Sequence, residues 1–305
     1  MVTQELSQGR DDRRPRLWLI GGTGEAVILA QRLIQGGIPC LVTVTTAAAK
    51  RAYPEAPGLT VRVGTLATDA LADFIQAQAI GAILDASHPF AVEISQGAIA
   101  QAATLSLPYW RYERPPSVDV DFGAAEAAAA EPAAPGCSAA PASEVPASKY
   151  PGQPLRVPDL AAALTPDILT GQRVLLTLGY RWLAAFRPWQ DQATLFARIL
   201  PSPVALNAAL DAGFTSERLM ALRPPIGEAL EQALWQQWGI TTVITKASGQ
   251  PGGEDTKRRV AERLGVALIL IDRPQLAYPV VSSSLEETVA RCEDWWQTQK
   301  PRATF

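Results

Sequence analysis

The chain carries, close to its start, the stretch Leu17-Trp18-Leu19-Ile20-Gly21-Gly22-Thr23-Gly24-Glu25. Its four apolar residues predict a buried strand, and the glycines that follow predict a tight turn. From 25 to 35 apolar residues recur at helical spacing, and Gly36-Gly37 predicts the end of that helix. A strand, a glycine turn and a helix in this order are typical of one βα unit of a parallel sheet.

Strands and helices alternate along the rest of the chain. Apolar or β-branched runs predict strands at 40–45, 61–63, 81–85, 108–112, 174–177, 194–200, 218–222, 242–245 and 267–271. Helical periodicity predicts helices at 69–78, 89–104, 203–212, 226–238, 253–264 and 285–299. This order predicts an α/β protein with mostly parallel sheets. Because 305 residues exceed the usual length of one domain, we expect two Rossmann-like domains with an active-site cleft between them.

A segment without core-forming residues separates the two alternating regions. Between 123 and 149 the chain is rich in Ala and Pro and contains no Leu, Ile, Met, Phe, Tyr or Trp. Such a segment buries too little apolar area to offset the entropy that is lost on ordering. We therefore expect a disordered tail at 1–15, a first domain at 16–116, a disordered insertion or linker at 117–154, and a second domain at 155–305.

Composition excludes several classes of function. The net charge of −3 makes nucleic acid an unexpected partner. Three widely spaced cysteines and a single histidine, His88, predict neither a disulfide framework nor a metal site. The chain lacks both an apolar signal sequence after a basic start and an apolar run of the ~18 residues that a membrane helix needs. We expect a cytoplasmic monomer that acts on a small molecule.

The turn of Gly21, Gly22, Thr23, Gly24 and Glu25 is a candidate phosphate site. Glycines let the backbone approach a phosphate, and the following helix offers free N–H groups and a positive dipole end. The pattern is not the complete G-x-G-x-x-G fingerprint, so a simple tight turn explains it equally well.

Basic residues follow the second predicted strand, where Thr45 is followed closely by Lys50-Arg51. Enzymes that use NAD commonly carry an acidic residue near this point, whereas a basic residue suits a 2′-phosphate. On residue type alone, a solvated surface pair is the commoner explanation.

The segment Asp85-Ala86-Ser87-His88-Pro89-Phe90-Ala91 lies between a predicted strand and a predicted helix. Open α/β sheets bind ligands at such carboxyl ends of strands. Asp85 or His88 could transfer a proton there. Alternatively, Ser87 or His88 caps the helix and Asp85 accepts hydrogen bonds from loop amides.

Cations, hydroxyl groups and glycines recur at other predicted strand ends. In an acidic protein, this shared placement predicts a binding face for a polyanion, although each residue alone could be an ordinary surface group. The residues are Arg111 and Arg114 in the first half, and Thr177, Gly179, Arg198, Lys246, Ser248, Gly249 and Lys257 in the second.

At these positions the sequence resembles the precorrin-6A reductase family, which is also called the cobalt-precorrin-6A reductase family. The matching blocks, at 21–25, 85–91, 111–115, 176–179, 197–201 and 245–249 with Lys257 and Arg273-Pro274, follow the family's order. The glycine turn is common in proteins, whereas Asp-Ala-Ser-His-Pro-Phe-Ala followed by Thr-Lys-Ala-Ser-Gly is much more diagnostic.

The resemblance implies a two-domain Rossmann-like enzyme that uses NADPH to reduce one double bond of a ring-contracted tetrapyrrole. Motifs and resemblance together assign three sets of residues. The cofactor set is Gly21, Gly22, Thr23, Gly24, Glu25, Thr45, Lys50 and Ser87. The substrate set is Arg111, Arg114, Thr177, Gly179, Arg198, Ser248, Gly249 and Lys257. The candidates for the proton donor are Asp85, His88 and Lys246.

The sequence departs from the family at three points, one of which is the insertion from about 117 to 154, and two competing functions would also fit it. Ser87 stands where the family usually has Thr, and only Gly64 remains of a glycine-rich turn, which puts cofactor contacts near Gly64 in doubt. A non-catalytic nucleotide-binding module and an S-adenosylmethionine-dependent methyltransferase of tetrapyrroles would suit the same architecture.

Overall fold

The computed structural model describes residues 15–115, 150 and 154–299, which divide into two compact units. The first unit contains the described residues up to Pro115 and those from Gln275 onward, and the second contains the described residues from Tyr150 to Pro274. The predicted tail, apart from Pro15, and the insertion, apart from Tyr150 and Pro154, lie outside the described residues.

The first unit begins with alternating strands and helices. They are β1 (Arg16–Ile20), α1 (Gly24–Gln35), β2 (Cys40–Val44), α2 (Ala47–Lys50), β3 (Leu59–Val63), α3 (Leu71–Ala77), β4 (Ile80–Asp85), α4 (Val92–Thr104) and β5 (Tyr109–Tyr112). A short 3-10 turn, Thr68–Ala70, precedes α3. Apart from α2, which was not predicted, the elements match the predicted order, but α4 starts after Pro89 rather than at it, because His88–Ala91 forms a loop.

The second unit repeats this alternation. It contains β6 (Pro154–Val157), α5 (Leu160–Ala163), α6 (Pro166–Leu169), β7 (Arg173–Leu176), β8 (Thr194–Ile199), α7 (Pro203–Asp211), β9 (Leu219–Ala221), α8 (Glu228–Gln237), β10 (Thr242–Lys246), α9 (Glu254–Leu264) and β11 (Ala267–Ile271). Three 3-10 segments, Tyr180–Trp189, Ser216–Arg218 and Gln250–Gly252, lie between these elements. The chain then returns to the first unit with β12 (Val281–Ser282) and α10 (Leu285–Thr298).

Both sheets are parallel and share the order of five strands, and they differ in the origin of the sixth, which follows these five along the chain in the first unit (β12) and precedes them in the second (β6). The first runs β12-β5-β4-β1-β2-β3 and the second runs β6-β11-β10-β7-β8-β9. All the strand pairs recorded in the two sheets are parallel, which confirms the predicted fold class.

The central strand of the first sheet is apolar on both faces. Leu17 and Leu19 pack with α1 and α10, whereas Trp18 and Ile20 pack with α3 and α4. Successive side chains of a strand point to opposite faces, so a continuous apolar run is required when helices cover both sides. This explains why the predicted strand shows no polar alternation.

The expected boundary of the second domain is wrong at its C-terminal end. Residues 275–299 belong to the first unit, where β12 pairs with β5 and α10 packs against α1. Cys292, Trp295 and Trp296 are buried in the core that α1 lines. Helix α10 packs against the first sheet because burial of its large apolar surface there is favourable. Proximity along the chain therefore does not show which sheet a helix packs against.

In the described part of the chain, the structure contains no helix that is both long enough and apolar enough to span a membrane.

Candidate functional site

The first sheet reverses its strand order between β1 and β4. The chain leaves β1 through α1 to reach β2 on one side, and it returns later to β4 on the other side. At such a switch point the loops after the two strands separate and leave a crevice at their carboxyl ends. The glycine turn follows β1 and the loop at 86–91 follows β4, so the structure brings the two predicted motifs together.

The glycine turn is open on the side where a ligand would approach. Among the described residues, no atom outside the immediate neighbours lies within 4 Å of a Cβ built on Gly22 or Gly24. Gly22 has a φ of +110°, which a side chain would strain. Thr23 caps α1, because its Oγ1 accepts a hydrogen bond from the Ala26 amide at 3.1 Å. The first turn of α1 is therefore both fixed and accessible.

Thr23 also joins the two loops of the switch point. Its hydroxyl donates a 2.8 Å hydrogen bond to the Ala86 carbonyl oxygen. A narrow crevice lies here, lined by Thr23, Glu25, Ala86, Ser87, Pro89, Arg111, Tyr112 and Arg114. Five residues of the predicted cofactor and substrate sets therefore share one crevice in the first unit.

Asp85 is buried below this crevice and is fully engaged. Its carboxylate accepts hydrogen bonds from the Ser87 amide at 2.9 Å, the Ser95 hydroxyl at 2.6 Å, the Tyr109 hydroxyl at 2.7 Å and Arg111 Nη1 at 2.8 Å. The residue is 0% exposed. The geometry favours a positioning role over the proton transfer considered from the sequence, because the carboxylate does not face solvent.

Arg111 is held between two carboxylates. It pairs with Asp85 at 2.8 Å and with Glu113 at 2.6 Å, and its guanidinium lies 5.1 Å from the centre of the Tyr278 ring. Although burial lowers the pKa of Arg111, the two carboxylates raise it overall, so the side chain stays charged. Arg111 therefore anchors β4, β5 and the C-terminal segment. Because only 1% of its surface is exposed, the structure does not favour the predicted contact between Arg111 and the substrate.

Glu25 and Arg114 line the crevice, and His88 lies between two other lining residues, Ser87 and Pro89, along the chain. Arg114 Nη2 lies 3.4 Å from the Glu25 carboxylate, which itself lies in the first turn of α1. His88 Nδ1 accepts a 3.3 Å hydrogen bond from the Phe90 amide, and the two rings are 5.8 Å apart. His88 is half-buried, so among the three candidates for the proton donor it remains one that a ligand can reach.

The basic segment after β2 is exposed and is linked to the glycine turn. Thr45 and Lys50 are exposed, and Thr46 caps the short helix α2 that ends with Lys50. The Tyr53 amide donates to the Lys50 carbonyl oxygen at 3.1 Å, and the Tyr53 hydroxyl accepts from the Gly22 amide at 3.2 Å. Because β2 is next to β1, this segment and the glycine turn occupy the same edge of the sheet.

The second sheet has a switch point of its own between β7 and β10. The chain leaves β7 through Thr177 and Gly179 into the 3-10 segment Tyr180–Trp189, which includes Pro188. Gly179 is exposed with a φ of +82°, and Thr177 is half-buried. An irregular segment thus occupies the place that α1 has in the first unit.

Lys246 ends β10 beside that segment. Its ammonium nitrogen lies 4.2 Å from the centre of the Trp182 ring, a cation–π contact. Burial, together with the nearby charge of Arg181, lowers the pKa of Lys246 to about 8. A half-buried ammonium whose pKa lies near neutrality is suited to giving up a proton or to binding a carboxylate.

The loop after β10 is stabilised from within. The Glu254 carboxylate accepts from the Gly249 amide at 2.9 Å and pairs with Arg258 at 2.9 Å. Lys257 Nζ donates to the Gly252 and Gly253 carbonyl oxygens, each at 3.1 Å. Lys257 is 3% exposed, and burial lowers its pKa to about 8. These contacts favour a loop-stabilising role for Lys257 over the expected substrate contact.

Three other residues that were predicted to bind the substrate are also enclosed by the protein itself. Arg198 Nη1 pairs with the buried carboxylate of Glu231 at 2.5 Å. Ser248 and Gly249 are buried, and a Cβ on Gly252 would collide with the Ser248 hydroxyl. Burial again favours an internal role for these residues over direct substrate contact.

Comparison with known proteins identifies the family. A family model described as "Precorrin-6x reductase CbiJ/CobK" matches residues 16–293. The chain belongs to this family. Its members are reductases, so the chain is an oxidoreductase.

Relatives of this reductase match over most of their length. A cobalt-precorrin-6A reductase from Synechocystis sp. is 44% identical over 285 residues, which cover 92% of this chain and 97% of the relative. One from Priestia megaterium is 31% identical, with 89% and 95% covered. A solved structure, "CobK precorrin-6A reductase", is 25% identical and gives a TM-score of 0.65 over 93% of this chain and 97% of the other.

Several contacts of this precorrin-6x reductase could not be found from sequence patterns. The Asp85 carboxylate accepts hydrogen bonds from Ser95 and Tyr109, and the Arg111 guanidinium lies over the Tyr278 ring. Tyr53 lies against the glycine turn. Tyr109 stands in a conspicuous aromatic and basic run, but its partner Asp85 is distant along the chain. The other three residues carry no motif that would reveal their role.

Proposed function

We propose that this chain reduces one double bond of the macrocycle of precorrin-6A, or of its cobalt form, with NADPH as the hydride donor. The product would be precorrin-6B or its cobalt form, within the biosynthesis of cobalamin. Support for the substrate comes from the relatives, which bear this activity in their names and match 86–92% of this chain.

The observation that carries the cofactor proposal is the open glycine turn at the switch point. The side of Gly22 and Gly24 is open next to the first turn of α1, where backbone N–H groups and the helix dipole favour the negative charge of a diphosphate. Lys50 is exposed at the same edge of the sheet and suits the extra phosphate of NADPH. When bound, NADPH supplies the hydride.

The residues of the first unit hold this site in place. Thr23 fixes the glycine turn to Ala86, and Asp85 fixes the Ser87 amide in the neighbouring loop. Arg111 holds Asp85 in place through their buried 2.8 Å ion pair. Binding groups that are already ordered lose less entropy when the ligand arrives, which favours both affinity and orientation.

The second unit supplies groups that suit a polycarboxylate ring. Arg181 is exposed, Trp182 is half-buried and offers an aromatic face, and Lys246 lies over that face. We assign Lys246 to contact with the substrate, either as the donor of the proton that completes the reduction or as the partner of a carboxylate. His88 is the alternative proton donor.

A titration with three nucleotides tests the proposal. Purified protein is titrated with NADPH, NADH and S-adenosylmethionine, and loss of reduced-nicotinamide absorbance is followed after precorrin-6A is added. We expect tight NADPH binding and consumption of NADPH that depends on precorrin-6A. Binding without consumption would indicate a non-catalytic module, and preference for S-adenosylmethionine would indicate a methyltransferase; either result would overturn the proposal.

Removal of the Lys50 charge tests the 2′-phosphate assignment. We expect Lys50→Ala to weaken NADPH binding about three- to tenfold, with little change for NADH, because only NADPH carries the phosphate. Arg32→Ala is a matched control, since it removes a charge from the last turn of α1 in the same unit. Equal weakening of NADPH and NADH by Lys50→Ala would refute the assignment.

A further inference from the structure

Tyr53 lies against the glycine turn from the side of the protein interior. Its hydroxyl oxygen accepts a 3.2 Å hydrogen bond from the Gly22 amide. A Cβ built on Gly21 would lie 2.4 Å from that oxygen and 2.9 Å from Val42 Cγ1. Tyr53 is 7% exposed, so its ring is part of the core below the turn. Gly21 is required here by close packing, whereas Gly22 is required by its backbone conformation.

The same residue is joined to the segment that carries Lys50. The Tyr53 amide donates to the Lys50 carbonyl oxygen at 3.1 Å, which closes the turn at the end of α2. Burial raises the pKa of the Tyr53 hydroxyl, while the Gly22 amide lowers it in part, so the phenol stays neutral at physiological pH. A neutral hydroxyl is a stable hydrogen-bond partner for the turn.

We infer that Tyr53 is a positioning residue for NADPH, which fixes the distance between the diphosphate turn at 21–24 and the 2′-phosphate segment at Lys50. The inference rests on the proposed function, since both phosphate sites belong to it. Tyr53 acts through the Gly22 and Lys50 backbone and need not touch the cofactor. Loss of its hydroxyl should let the two segments move independently, and both phosphates would then bind less well.

Tyr53→Phe isolates the hydroxyl, because the ring that packs under Gly21 is kept. We expect the dissociation constant for NADPH, measured by calorimetric titration, to rise roughly three- to tenfold, as for loss of one hydrogen bond. We also expect KM for NADPH to rise by the same factor while kcat changes less than twofold. A purely structural role would lower the melting temperature without moving the affinity.

Thr43→Val is the matched control. Thr43 lies in β2, and its hydroxyl accepts a buried 2.9 Å hydrogen bond from the Trp18 indole nitrogen. This variant therefore loses one buried hydrogen bond in the same sheet but keeps every contact of the glycine turn. We expect a similar fall in melting temperature and unchanged NADPH affinity. Equal loss of affinity in both variants would overturn the inference.

A double-mutant cycle with Lys50→Ala tests the connection between the two segments. If Tyr53 fixes the Lys50 segment to the turn, its replacement should weaken NADPH binding less once the Lys50 ammonium is gone, because only the effect on the diphosphate turn is then left. Strict additivity of the two effects would overturn the connection.

Failure of the unaltered protein to bind NADPH would overturn the proposed function and this inference together. NADPH binding that Tyr53→Phe leaves unchanged would overturn the inference alone.

Discussion

The two units share the order of five strands, but the chain leaves the central strand of each sheet differently. After β1 the glycine turn leads directly into α1, a twelve-residue helix, and its first turn is open. After β7, Gly179 leads into a ten-residue 3-10 segment that presents Arg181 and Trp182 near Lys246. A regular helix offers a row of free N–H groups to phosphate, whereas the irregular segment offers an aromatic face and cations.

The loops on the other side of each switch point also differ in how they are anchored. Asp85, in the first unit, meets Arg111 in an ion pair that is almost completely buried. In the second unit Glu254 binds the Gly249 amide and the more exposed Arg258. The comparison shows that one topology supports two differently anchored sets of loops, because the loop chemistry is independent of the sheet.

The largest effect should come from the anchor of the first unit. Asp85→Asn keeps the side-chain shape but leaves Arg111 with only one carboxylate. We expect the free energy of unfolding to fall by about 3 kcal/mol, as when one partner of a buried ion pair is lost. Urea denaturation measures this change. Glu254→Gln, the equivalent change in the second unit, should cost less, and an equal or larger cost there would contradict the comparison.

Lys246 should dominate the chemistry of the second unit. We expect Lys246→Met to lower kcat/KM for precorrin-6A by about 100-fold if the ammonium delivers a proton. If Lys246 donates the proton, its charged ammonium is the active form. Because the pKa of Lys246 is lowered to about 8, activity should fall as the pH rises through about 8.

Lys246→Arg sharpens that test, because arginine stays charged at this pH. It should flatten the alkaline fall in the pH profile even if the rate is lower. An alkaline fall of unchanged position in Lys246→Arg would show that another group titrates.

A smaller effect is expected where the glycine turn is filled. Gly24→Val places a side chain in the open space proposed for the diphosphate, and it should weaken NADPH binding by at least about tenfold through loss of a charge-assisted hydrogen bond. Calorimetric titration measures the affinity. Gly227→Val is a matched control, because Gly227 is an equally open glycine at the start of α8 in the second unit. Similar weakening by both variants would mean that the diphosphate does not bind over Gly24.

Local sequence patterns predicted most of the elements and the two loops of the first switch point. The run at 17–25 carries its own signal, because apolar residues and glycines restrict a strand and a turn irrespective of distant contacts. The pattern failed for 180–189, where apolar spacing does not distinguish a 3-10 segment from other structure. The helix predicted at 285–299 is confirmed, but periodicity does not show against which sheet it packs, so its domain was assigned wrongly.

The candidate site was predicted less completely than the fold. Four predicted site residues have the residue types of catalytic or ligand-binding groups and lie where the sequence placed them, near the end of a strand or on the helix that follows. They are Asp85, Arg111, Arg198 and Lys257. Their burial and most of their internal partners could not be predicted, because partners such as Asp85 for Arg111 and Glu231 for Arg198 lie many residues away. Tyr53 was missed for the same reason.

The amino-acid sequence alone determined the alternation of strands and helices, the glycine turn after β1 and the family, because these depend on local preference and on short motifs. Only the tertiary structure decided that the C-terminal helix completes the first unit and which polar groups are buried in internal contacts. Burial and hydrogen-bond pairing arise between distant segments, and it is this pairing that turns Arg111 into an anchor while Lys246 remains accessible.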